Sequence, residues 1–188
     1  MLACATLWFA LGASAALHHV APFGFPLGVR LDPAVIAANG CQRHGEARTC
    51  RTAPKPVADV KSYFVLLTEG RLGKVGALWA FGEDRDGAKV RRRFEELKTS
   101  LESKYGRPRR TRDSLSRESL WKRPGDFAMA LQDGDRELSA TWKVEGTTIV
   151  MKAFGQDMTD TGLLVSYEHD RLMALRETRK SDAEEDAL

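Results

Sequence analysis

Three cysteines occur in the 188 residues, and two of them, Cys41 and Cys50, are separated by eight residues with His44-Gly45 at the centre. That spacing suits a short turn or hairpin closed by a disulfide, worth roughly 2 to 3 kcal/mol in the chain-entropy picture when the geometry is unstrained. A redox-active pair needs the closer C-x-x-C spacing and a helix N-terminus to lower a thiol pKa. Cys41 and Cys50 therefore read as a structural disulfide, in keeping with the oxidising compartment that the export reading below implies.

The other chemistry-bearing residues do not assemble into a motif. His18, His19, His44 and His169 lack metal-ligand spacing, with no H-E-x-x-H and no Cys/His cluster. A Cu or Zn site built from a processed N-terminal amine with His18 and His19 is the one alternative; His44 reads as a turn residue and His169 as a strand end. Asp84, Asp86 and Gly87 imitate positions 3, 5 and 6 of a calcium loop. Gly82 and Arg93 then stand where the first ligand and the bidentate glutamate belong, so the segment reads as a turn and helix start. The run GRLGKVG at 70 to 76 lacks phosphate-loop spacing and leads into a strand. Glu95 and Glu96 point about 100° apart on a helix, which makes no acid/base pair. No catalytic residue, cofactor or metal is assigned, and carboxylates brought together by the fold leave a hydrolase as an alternative.

Charge carries more information. From Lys89 to Arg123 there are 13 Lys or Arg against five Asp or Glu, whereas Asp182 to Leu188 holds four acids and no base. Within the basic stretch, Arg107, Arg109, Arg110 and Arg112 sit in a segment that is a loop by composition, and they form the candidate binding cluster. The plain reading is a solvated basic face; the functional one is an anionic partner, either an acidic envelope protein or an anionic envelope component. Nucleic acid fits an exported protein poorly.

Export is read from the start of the chain. An uncharged apolar run from Leu7 to Leu11 leads into Ala13, Ser14 and Ala15, the layout of a signal peptide over residues 1–15 with an A-x-A cleavage site. No Lys or Arg precedes Arg30, so the usual basic n-region is missing, and an uncleaved anchor is the alternative. Cys4 precedes the apolar run, which is the wrong place for lipid attachment. Residues 16–188 then form one domain, able to bury about 70% of its unfolded surface. A content of 43% apolar and 29% charged residues is that of a water-soluble globular chain with no further membrane span.

The elements that must position these residues follow from spacing. Asp32, Pro33 and Gly40 frame a short helix over 33–39. Val60 to Leu67 and Leu72 to Phe81 flank Glu69-Gly70 as a hairpin. Val90, Phe94, Leu97, Leu101 and Tyr105 recur at helical spacing until Gly106 and Pro108 stop the helix. Residues 120–122, 127–132, 137–144 and 148–154 read as a meander with turns at Pro124-Gly125, Asp133-Gly134 and Glu145-Gly146. A strand over 163–167 and a helix from Asp170 that frays into the acidic tail complete the chain. Trp79, Trp121 and Trp142 fall in predicted strands and read as packing between sheet and helix rather than as a sugar or peptide platform. The expected fold is α+β: an antiparallel sheet of hairpin plus meander against one main helix, with a short N-terminal and a C-terminal helix.

FGFPLG with its following helix, GRLGKV at 70–75, FEELKTSLESKYGRP and LLVSYEHDRL together resemble a family of uncharacterised small secreted proteobacterial proteins. The first part is also loosely similar to the small lipoproteins of the outer-membrane barrel-assembly machinery, from which the chain departs by lacking a lipobox and by having a second long helix and extra strands. The resemblance implies a periplasmic, non-enzymatic protein and no functional residues. The expected function is a non-catalytic binding module of the bacterial envelope, periplasmic or secreted, with an envelope hydrolase or an inhibitor/immunity-type protein as alternatives.

Overall fold

A computed structural model describes residues 20–185. The leader, its cleavage site, His18, His19 and the last three residues lie outside them.

The chain runs α1 (Pro33–Ala38), β1 (Gln42–His44), β2 (Ala47–Cys50), β3 (Ser62–Thr68), β4 (Arg71–Phe81), α2 (Ala88–Tyr105), β5 (Arg110–Leu115), α3 (Phe127–Gln132), β6 (Arg136–Val144), β7 (Thr147–Gly155), β8 (Thr161–His169) and α4 (Asp170–Glu185). All eight strands form one antiparallel sheet in the order β1-β2-β3-β4-β8-β7-β6-β5. Two four-stranded meanders are thus joined by the α2 crossover, with β4 and β8 side by side at the centre. The architecture is α+β.

Local chemistry explains most of the elements. Asp32 accepts the Ala34 N–H at 2.8 Å and Pro33 opens α1. The β3–β4 and β7–β6 turns place Glu69-Gly70 and Glu145-Gly146 at positive φ, the pattern of two-residue type I′ hairpins. At the start of α2 the buried Asp84 carboxylate accepts the Lys89 and Val90 N–H groups at 2.7 and 3.0 Å. Its Oδ2 also accepts the Thr161 hydroxyl at 2.6 Å, which ties the helix N-terminus to β8.

Register divides the sheet into two faces. Tyr63, Val65, Val75, Ala77, Trp79, Leu163, Val165, Tyr167, Ile149, Met151, Ala153, Leu138, Ala140 and Trp142 share one face, and all are buried. The α2 stripe of Val90, Phe94 and Leu101 packs on this face, joined by Phe127 and Leu131 of α3 and by Phe25 and Leu27 of the N-terminal segment. Trp79 and Trp142 are buried here, their indole N–H groups donating to the Ala58 and Gly106 carbonyls at 3.2 and 3.0 Å.

The structure corrects three expectations. Residues 110–115 are not loop but the edge strand β5: a polar sequence with no apolar alternation is recruited by pairing with β6, so tertiary context overrides propensity. Residues 127–132 are helix α3 rather than a strand. Pro124 opens a 3₁₀ turn, Asp126 accepts the Arg123 N–H at 3.3 Å, and the Ala, Met, Leu and Gln that follow favour a helix. Residues 120–122 form no strand, and Trp121 lies in the connecting segment with its indole N–H on Asp133 at 2.5 Å.

Candidate binding surface

Cys41 and Cys50 are disulfide-bonded, next in register after the Gln42–Thr49 pair of the β1–β2 hairpin. Cys50 is fully buried against Tyr63 of β3, so the bond fixes the sheet's edge hairpin to the core. His44 is exposed at the hairpin tip, and His169 ends β8 with its Nδ1 facing the Leu172 N–H at 3.4 Å. Among the described residues no three His, Cys, Asp or Glu side chains converge on one point. Asp86 caps α2 through the Ala88 N–H at 3.1 Å, and Glu95 and Glu96 turn outward to Lys98 and Arg93. GRLGKVG forms the β3–β4 turn and the start of β4, its backbone committed to sheet pairing. None of the helices of the described residues is long and apolar enough to cross a membrane.

The basic cluster divides. Arg107 and Arg109 precede β5, and the Arg109 N–H donates to the Thr141 carbonyl at 2.8 Å. Arg110 and Arg112 lie on β5 opposite Thr141 and Ser139, so their side chains share the sheet face that faces away from α2. Arg112 pairs with Glu137 at 2.6 Å, and this contact with a second from the Ser139 hydroxyl holds the Glu137 carboxyl below the usual carboxylate range.

That outer face is the feature the residue-by-residue reading missed. Phe64 and Leu66 of β3, Leu78 of β4, Leu164 of β8, and Val150 and Phe154 of β7 occupy it in register. Each is half-buried, and none belongs to the core cluster or packs against it. Two rings lie flat over cross-strand glycines. A Cβ at Gly76 would meet the Phe64 ring at 2.3 Å, and one at Gly162 would meet the Phe154 ring at 2.2 Å. Each aromatic thus covers a backbone with no side chain of its own, which holds the ring against the sheet. On one side this apolar strip meets exposed Lys152 of β7, Lys143 of β6, and Arg110 and Arg112 of β5. Lys143 pairs with Asp170 and Arg112 with Glu137, whereas Arg110 and Lys152 have no ion-pair partner among the described residues. At the sheet centre, Lys74 of β4 and Glu168 of β8 neutralise each other at 2.6 Å, and on the far side β1 and β2 put Gln42, His44, Ala47 and Thr49 on this face. The result is an apolar strip with a cationic margin on one side only. A sequence signal for it exists: β3, β4, β7 and β8 carry large apolar residues at both parities, which a strand buried on one face does not require.

Comparison with protein-family models, with curated proteins and with solved structures finds no match for this chain.

Proposed function

We propose that this chain is an exported, non-catalytic binding module that receives an acidic, amphipathic segment of an envelope protein on the outer face of its sheet. The observation that carries the reading is the asymmetric outer face: an apolar strip asks for apolar side chains, and in its one-sided margin Arg110 and Lys152, without ion-pair partners among the described residues beside the paired Arg112 and Lys143, ask for carboxylates. A polypeptide with an apolar stripe flanked by Asp and Glu supplies both. A polyanionic glycan supplies only the second, and a lipid surface would meet a margin on one side instead of a basic ring. Export is supported by the apolar run and A-x-A triplet at 7–15 and by the Cys41–Cys50 bond, and the resemblance of the FGFPLG and LLVSYEHDRL segments to small secreted proteobacterial proteins points to the periplasm.

The test uses two synthetic amphipathic peptides with the same Leu stripe, one bearing Glu and one bearing Lys on its polar face. The Glu peptide is expected to bind with methyl shifts at Leu78, Val150 and Leu164, and Arg110→Glu with Lys152→Glu to weaken it about tenfold while leaving the fold intact. Equal binding of both peptides, or shifts confined to the α2 side, overturns the reading.

A further inference from the structure

A second feature lies on the opposite side of β5, away from the outer face. Between α2, α3 and the 115–124 segment is a cleft of about 250 Å³, lined by Arg91, Lys122, Arg123 and Arg136 with Trp121, Phe127 and Leu115. Four cations from three parts of the chain converge on it, and no carboxylate lines it. Their convergence is built. The Phe127 ring is held under Gly87, where a Cβ would approach it at 2.0 Å, and the guanidiniums of Arg91 and Arg136 stand 4.9 and 4.5 Å from its centroid. Arg91 is anchored further by donating to the Gly87 and Asp86 carbonyls at 3.3 and 3.0 Å. Arg136 pairs with Asp113, yet its buried Nε has no hydrogen-bond partner. Two nearby acids do not line the cleft but hold its wall: Asp126 accepts the Arg123 N–H and pairs with Arg85, and Asp133 accepts the Trp121 indole N–H. Asp113 offsets Arg136 alone, and the remaining like charges of Arg91, Lys122 and Arg123 around one small cleft repel one another unless an anion joins them.

We infer that this cleft binds a phosphomonoester, its phosphoryl group among Arg91, Lys122, Arg123 and Arg136 and its organic group against Trp121 and Leu115. Phosphate rather than carboxylate follows from number: with Arg136 already paired to Asp113, Arg91, Lys122 and Arg123 still offer more charge and more donors than one carboxylate accepts, and a phosphomonoester brings close to two charges and three terminal oxygens. The site size limits the organic part to about a single ring, because ligand pockets for drug-sized molecules run to roughly 300–1,000 Å³. This inference is independent of the outer-face reading, since Arg110 and Arg112 point to the other side of β5.

Phenyl phosphate is the probe, followed by calorimetry and by the Trp121 indole N–H resonance, with benzoate and inorganic phosphate as comparators. One site per chain is expected, with phenyl phosphate binding at least about tenfold more tightly than either comparator and moving the Trp121 resonance. Lys122→Glu with Arg123→Glu, both exposed and safe for folding, should weaken it about tenfold or more, whereas Arg110→Glu should leave it unchanged. Absence of saturable binding at millimolar phenyl phosphate, equal affinity for benzoate, or indifference to Lys122→Glu/Arg123→Glu overturns the proposal.

Discussion

Asp84 shows how one side chain can set the position of an element. Its carboxylate is buried, caps two N–H groups of α2 and holds Thr161 of β8, so three donors lose their acceptor together if it is removed. Asp84→Ala should lower unfolding free energy by about 2–4 kcal/mol in urea titrations, because buried N–H groups left unpaired cost more than exposed ones. A helix start at Asp84 to Gly87 was legible from residue types, but the depth of Asp84 and its link to a strand 77 positions later were not. Tyr167 makes a second residue-scale prediction. Burial first, and then the neighbouring Tyr105, push its phenol well above the usual tyrosine range. A group raised in the folded state contributes stability that is complete below its unfolded pKa of about 10 and is lost as pH rises towards the folded value. Wild-type protein should therefore lose stability above about pH 10 more steeply than Tyr167→Phe, as read from paired denaturation curves. Parallel curves would remove Tyr167 from the alkaline limb.

At the scale of elements, what could be read depended on whether a segment carries its own signal. The α2 stripe, the Glu69-Gly70 and Glu145-Gly146 turns and the Cys41–Cys50 hairpin announce themselves through period, turn chemistry and cysteine spacing, and the structure contains each of them. β5 and α3 do not. Arg110 to Leu115 is a strand because β6 offers it a partner, and 127–132 is too short for alternation to be told from a helical wedge whose Phe127, Ala128, Ala130 and Leu131 are all buried. The four arginines of the candidate cluster were visible as charge, but which of them share a face required the β5 register. The apolar outer strip was legible only as large apolar residues at both parities of β3, β4, β7 and β8; that these share one face required the strand pairing. Two element-level measurements follow. Replacing Cys41 and Cys50 by Ser should cost about 2–3 kcal/mol, with reductant bringing wild type to the same midpoint. Gly76→Ala must displace the Phe64 ring from the sheet and should cost about 1–3 kcal/mol, together with a shift in Phe64 aromatic resonances. An unchanged stability would mean that the ring does not rest on Gly76.

The described residues form one sheet with a covered face and an open one. Helices α2 and α3 close one face, and both sheet edges are blunt: β1 is three residues long and polar, and β5 carries Arg110, Arg112 and Asp113. Such edges discourage strand addition, which leaves the outer face as the broad surface on which a partner can gain apolar burial. On the proposed function, the unpaired Arg110 and Lys152 of its margin set the sign of that partner. The most direct measurement is photo-crosslinking in the envelope of an expressing bacterium, with the crosslinker placed at Leu78 or Leu164 on the outer face, and at Thr99 on the exposed side of α2 as a control. The account predicts a product from Leu78 and Leu164 whose crosslinked peptide is rich in Asp and Glu, absent from Thr99 and lost in Arg110→Glu with Lys152→Glu. A product formed equally from Thr99, one that survives the charge reversal, or none at all would contradict it.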